Sequence, residues 1–310
     1  MKRMMSFLLA GALALTGFAG VSATAQEGKL TVYASFYPMY DFATKVGGDR
    51  VTVVNMVPAG MEPHDWEPEA KDVIGLENAD VFVYNGAGME HWVDKVLATL
   101  SNQDLVVVDT SQGQTLLEGH SHDDDAQVAD AAHEEDEAYD PHLWLGPLNA
   151  KAQMASIKQA LVAADPENAA YYEANYAAQA AAFDALDADF RAALGALPNK
   201  TIVVSHQSFG YLCAAYGLVQ ESIEGLTPDS EPDPARMAEV IDFVKARGIT
   251  TIFFEELVNP KIAETIAGAT GAQTAVLSPL EGLTDVQAAA GGDYISVMRE
   301  NLAALVKALQ

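Results

Sequence analysis

One cysteine, Cys213, occurs in 310 residues. No disulfide can form within the chain, so the fold stands on its core whatever the redox compartment. Basic residues are also scarce. Lys and Arg number 17 against 44 Asp and Glu, a formal net charge of −27. That balance argues against nucleic acid as a partner, because phosphate binding needs clustered basic side chains. An acidic surface concentrates cations instead. Beyond the first 25 residues no uncharged apolar run is long enough to span a bilayer, so no stable membrane insertion is expected. Neither an HExxH helix nor a GxSxG elbow occurs, which removes two common sequence marks of a hydrolase.

What is present begins with MKRMMSFLLAGALALTGFAGVSATAQ. A basic start, a short apolar run and Ala23-Thr24-Ala25 read as a secretory signal peptide over residues 1–25, cut before Gln26. The mature protein is expected in the periplasm. Roughly 285 residues remain, enough for two domains.

Their pattern alternates. KLTVYAS, VTVVNMV, DVFVY and DLVVVD read as strands, with helix-like stretches between them, among them 69–77 and MEHWVDKVLATL. Such alternation argues for a parallel sheet flanked by helices. Residues 111–140 break it with an acidic loop holding His120, His122 and His133. An alanine-rich helical region follows, interrupted at Asp165-Pro166, where Asp165 is expected to cap the helix that Pro166 opens. Alternation restarts after Pro198 with KTIVVS, LVQES, TTIFFEE and QTAVLS, and a helix near 292–309 closes the chain. The expected fold is α/β: two lobes, each a mostly parallel sheet flanked by helices, joined by a long backbone helix. The expected boundaries are 26–146 for the first lobe, 147–198 for the helical link and 199–310 for the second lobe.

In open parallel sheets ligands bind beyond the carboxyl ends of the strands. Three histidines fall there or in short motifs beside them: His64 in MEPHDWEP, His142 in YDPHLWLGP and His206 in SHQSFGY. Pro63 and Pro141 stiffen the backbone beside two of them. Glu62, Asp65, Glu67 and Asp140 are available to hold the second ring nitrogen of a ligating imidazole. Three neutral imidazoles and one oxygen suit Zn²⁺. Glu281, in LSPLEGLT, is the candidate oxygen ligand from the second lobe. Trp66 is expected to pack as a wall of the site or as a core aromatic, and His91 to lie at the surface or behind the ligands.

The motifs PAGMEPHDWEP, GAGMEHWVDK, DPHLWLGP, SHQSFGYL and LSPLEGLT, in that order, resemble those of the metal-binding receptors of cluster A-I ABC importers, in particular the zinc-specific branch. The resemblance covers essentially the whole mature chain. It implies His64, His142, His206 and Glu281 as metal ligands, with Zn²⁺ as the transported ligand and a membrane permease as the partner. It also implies a monomer, no catalysis and a rigid link that permits only modest closure. A histidine at 206 resembles the zinc branch, whereas the manganese and iron branches tend to carry a carboxylate there. Ser278 departs from a branch in which an aspartate supplies the oxygen, so a water or Glu62 is the alternative fourth ligand. The histidines of the acidic loop would form a weak secondary metal site. The competing readings are a manganese or iron receptor of the same family, a secreted zinc-dependent hydrolase, and an adhesin built on this fold.

Overall fold

Each half of the chain builds a four-stranded parallel sheet with the same strand order. The computed structural model describes residues 28–119, 138–228 and 234–310. The signal-peptide reading and the three loop histidines, His120, His122 and His133, lie outside the described residues.

In the first half, β1 (Leu30–Ala34), α1 (Tyr37–Gly47), β2 (Val51–Asn55), α2 (Ala70–Glu77), β3 (Val81–Tyr84), α3 (Val93–Leu97) and β4 (Val106–Asp109) give the order β2-β1-β3-β4. Two helices follow, α4 (Pro147–Ala164) and α5 (Ala169–Gly195). The second half runs β5 (Thr201–Val204), α6 (Gly210–Tyr216), β6 (Val219–Ser222), α7 (Pro234–Arg247), β7 (Thr251–Phe254), α8 (Lys261–Thr270) and β8 (Gln273–Val276), in the order β6-β5-β7-β8. A short helix α9 (Asp285–Ala289) and the terminal α10 (Tyr294–Leu309) complete it. Every ladder is parallel. The β-branched strands VTVVN and TIVV, each linked through a helix to a parallel neighbour, are what such sheets require.

The link belongs to both halves. At 1.5 Å per residue, the 27 residues of α5 span about 40 Å. Tyr172, Ala180, Phe183, Leu186, Phe190 and Leu194 are its buried positions, a helical stripe in an otherwise alanine-rich segment. Phe183 meets Phe42 of α1 edge-on at 5.7 Å and stacks on Tyr294 of α10 at 5.0 Å. Phe190 stacks on Tyr216 of α6 at 5.0 Å. One apolar core therefore runs from the first sheet through α4, α5 and α10 to the second. Full burial of each of these large side chains contributes about 1.5–3 kcal/mol. A smaller core lies on the outer face of the second sheet, where Val203 and Ile252 meet Val240 and Val244 of α7 and Ile266 of α8.

Two local expectations need correction, and one short helix lies outside the expected elements. Asp165 does not cap α5. The chain enters through a 3₁₀ turn, Pro166–Asn168, and the Asp165 carboxylate accepts from Asn168 Nδ2 at 2.6 Å and from the Tyr172 hydroxyl at 2.8 Å. Helix α3 covers only five residues of MEHWVDKVLATL. The preceding turn is held open by Glu90, whose carboxylate accepts the backbone N–H groups of Asn85 and Gly86. Helix α9 was not expected. It starts at a capping box in which Thr284 accepts from the Gln287 N–H and Gln287 reaches back to the Thr284 N–H.

Candidate metal centre

His64, His142, His206 and Glu281 converge between the two halves, all four buried. The loop after β2 carries His64. His142 closes the segment that returns from β4, one residue before a 3₁₀ turn, Leu143–Leu145. His206 stands two residues past β5, and Glu281 in the turn after β8. The first half thus supplies two donors and the second half two.

The spacing is that of a coordination shell. The Nε2 atoms of His64 and His206 each lie 3.2 Å from Nε2 of His142. Glu281 Oε1 lies 3.5 Å from Nε2 of His64, 3.5 Å from that of His142 and 3.4 Å from that of His206. A tetrahedral zinc ion with bonds of about 2.0–2.1 Å sets its ligands about 3.3–3.4 Å apart. Glu281 Oε1 is fully buried and accepts no hydrogen bond of normal length. A cation among these four atoms would satisfy that orphaned oxygen and three imidazole lone pairs together. Among the described residues this is the one such group of metal-ligating side chains.

Carboxylates orient two of the rings. Asp140 Oδ1 accepts from the backbone N–H of His142 at 2.9 Å and faces its Nδ1 at 2.8 Å. Glu255 Oε1 does the same for His206, at 3.2 and 2.7 Å. Each carboxylate fixes the tautomer in which Nδ1 carries the proton and Nε2 points at the metal position. His64 is held differently. Its backbone N–H donates to Glu62 Oε1 at 3.1 Å, and Glu62 Oε2 is buried with no hydrogen-bond partner among the described residues. Glu62 therefore braces the loop through the main chain rather than through the ring, and it is not one of the four converging residues. Asp65 is exposed, and Glu67 lies 3.5 Å from His91 at the surface. Trp66 packs edge-on against Trp92 at 5.4 Å, as a core aromatic.

The turn that delivers Glu281 is shaped by three contacts. Leu280, a buried branched residue, sits at φ 58°, a conformation that L side chains rarely adopt. The Ser278 hydroxyl accepts its N–H at 3.2 Å, and Asn301 of α10 brackets Ser278 with two backbone hydrogen bonds of 2.8 Å. Ser278 is thus a turn-former here and lies outside the four. Trp144 donates its indole N–H to the Pro279 carbonyl at 2.7 Å, tying the His142 motif of one half to the Glu281 motif of the other. Behind His142, Asn85 Nδ2 donates to the Pro141 carbonyl at 2.8 Å, and Gln153 Nε2 of α4 donates to Asn85 Oδ1 at 2.7 Å.

Electrostatics separates the donors. Burial, with the neighbouring imidazoles, lowers the pKa of His64 despite Glu281. Burial acts in the same sense on His142, but Asp140 and Glu281 outweigh it and raise His142 above its ordinary value. His206, facing Glu255 and Glu281, is raised well above despite its burial. Glu281 is held well below the usual carboxylate range, chiefly by His206, against its own burial. Burial and the charge of Glu281 push Glu62 up to about 9.

Sequence reasoning missed Glu255. Its signal was a carboxylate directly after β7, the strand beside β5 at the point where the sheet order reverses, and so opposite the exit that carries His206.

Known proteins match this chain over most of its length. The family model described as ZnuA, zinc-uptake complex component A, periplasmic, matches residues 32–308. The Bacillus subtilis high-affinity zinc uptake system protein ZnuA is 38% identical over 98% of this chain and 94% of its own length. The zinc-binding protein AdcA of Streptococcus pyogenes is 40% identical over 90% of this chain, which spans 56% of that protein's length. The Zn(II)-bound ZnuA-like domain of Streptococcus pneumoniae AdcA superposes with a TM-score of 0.78 at 38% identity, over 91% of this chain and 99% of that domain. The chain belongs to the ZnuA family of zinc-uptake components.

Proposed function

We propose that the protein is an extracytoplasmic zinc receptor. It captures Zn²⁺ with His64, His142, His206 and Glu281 and delivers it to the membrane permease of an ABC importer. The observation that carries this reading is the set of four buried donor atoms at the edge lengths of a tetrahedral zinc shell. Three imidazoles with one carboxylate favour zinc over manganese, whose sites are richer in oxygen. A hydrolase would keep a position open for water; here Glu281 stands where that water would sit. The proposal includes export through a signal peptide cut before Gln26 and action as a monomer. It takes 26–146 and 199–310 as the two lobes, 147–198 as their link, and the histidines of loop 111–140 as a weak secondary metal site.

The test is a zinc titration of the wild type beside alanine variants of the four residues. One tight zinc per chain, weakened by each variant, supports the reading. A wild type that binds no zinc tightly, or that prefers manganese under the same conditions, overturns it.

A further inference from the structure

The four donors are buried, so an ion needs a passage to reach them. A cavity of about 600 Å³ is lined by residues of both halves, Glu281 among them. Tyr40 and Asp41 of α1, Asn55 at the end of β2 and Ala59 in the loop beyond it line one side, and Ala288 of α9 lines the other. Glu281 is the only one of the four donors that lines this cavity.

The walls suit a cation. Asn55 Oδ1 is buried and accepts no hydrogen bond from the described residues, while its Nδ2 is engaged with the Val57 carbonyl at 2.8 Å. Among the described residues no Lys, Arg or His lines the cavity. The nearby Lys45 is taken up by two carboxylates, Asp41 at 2.8 Å and Asp293 at 2.7 Å, leaving the local balance negative before Glu281 is added. A cleft of one sign with low-dielectric walls raises the local concentration of the opposite ion. The wall at Ala59 also continues through exposed Gly60 and Met61 to His64, the histidine whose ring no carboxylate clamps through Nδ1.

We propose that Zn²⁺ enters and leaves through this cavity, passing Asn55 Oδ1 and meeting Glu281 before the imidazoles. The proposal rests on the zinc-capture reading above. A route governs rates and leaves the end states alone, so a plug should slow binding and release by the same factor.

Ala288 is exposed and lines the cavity, so Ala288→Phe adds bulk at its wall. Stopped-flow exchange of Zn²⁺ between the full chain and a chromophoric chelator measures both rates. Ala288→Phe is expected to lower both by roughly tenfold, about 1.4 kcal/mol on the barrier, with Kd within about twofold of the wild type. Asn55→Leu is expected to slow both rates less. Ala288→Lys is expected to slow uptake, whereas Val286→Lys, on the same helix but outside the cavity, leaves it unchanged. Unchanged rates in Ala288→Phe, a change confined to Kd, or equal slowing by the two lysines overturns the route. A wild type without tight zinc is a different result and removes the capture reading instead.

Discussion

The two halves share a strand order and use it differently. In both, the first and third strands meet where the order reverses, and in both a glutamate beyond the third strand reaches across to a residue just past the first. In the first half this is Glu90, which accepts from the Ser35 hydroxyl at 2.6 Å. The second half uses Glu255, facing His206 Nδ1 at 2.7 Å. The serine version closes the loop on itself, since Glu90 also accepts two backbone N–H groups. The histidine version leaves Nε2 free to face a metal. The same brace is structural in one half and orients a candidate metal-binding imidazole in the other. Beyond the fourth strands the halves diverge again, to His142 with its own aspartate and to Glu281 on a strained turn.

The largest effect is expected from His206→Ala or His142→Ala. Each removes a donor and leaves a buried carboxylate without its partner, and zinc affinity should fall by at least about 100-fold, more than the loss of an outer partner costs. Calorimetric titration by displacement from a chelator reads it, and an affinity within a few-fold of the wild type would contradict the ligand assignment.

Next come the braces. Glu255→Gln and Asp140→Asn should weaken zinc binding by about 10–100-fold, the usual cost of losing an outer partner of a ligating histidine. Glu90→Gln, at the matching place in the first half, should cost stability of about 1–2 kcal/mol through its weakened hydrogen bonds while leaving zinc affinity within a few-fold. Equal effects of Glu90→Gln and Glu255→Gln on affinity would show that the two braces do not differ in role.

The protonation of the site gives a smaller, continuous effect. The raised His142 and His206 stabilise the metal-free protein fully below their unfolded pKa of about 6.5. That contribution fades as pH rises through their folded values. Glu281 acts in the opposite sense: its contribution is present above its unfolded pKa and is lost as pH falls through its depressed folded value. Zinc must displace whatever protons these groups hold in the metal-free site. Affinity should rise about tenfold per pH unit for each proton released. Titrations in buffers of different ionisation enthalpy count those protons, and an affinity unchanged between about pH 5 and 8 would contradict the assignment.

The smallest effect is expected at the tie between the halves. Trp144→Phe removes one buried hydrogen bond to Pro279 and keeps most of the ring packing, so a loss of about 1 kcal/mol in melting experiments and a few-fold in affinity should follow.

Much of this architecture was legible because it depends on short-range chemistry. Strand composition, the proline-flanked histidines and the break before α5 all announce themselves within ten residues. The convergence of His64, His142, His206 and Glu281 was anticipated through motifs rather than spacing, since their separation along the chain carries no geometry. The pairing of Glu255 with His206 across 49 residues was not legible, because it is a product of sheet order. Nor was the service of Ser278 as the hydroxyl that supports Leu280 at positive φ. Asp165 shows the opposite failure: a good local capping signal was overridden when the Tyr172 hydroxyl claimed its carboxylate.

The proposed receptor requires a closed tetrahedral shell of three imidazoles and one carboxylate shared between its two halves. The zinc K-edge absorption spectrum of the zinc-loaded protein reads that shell. Four light-atom scatterers at about 2.0–2.1 Å, three of them with the outer-shell pattern of imidazole, are predicted. A five- or six-coordinate shell, or one with fewer than three imidazoles, would contradict it.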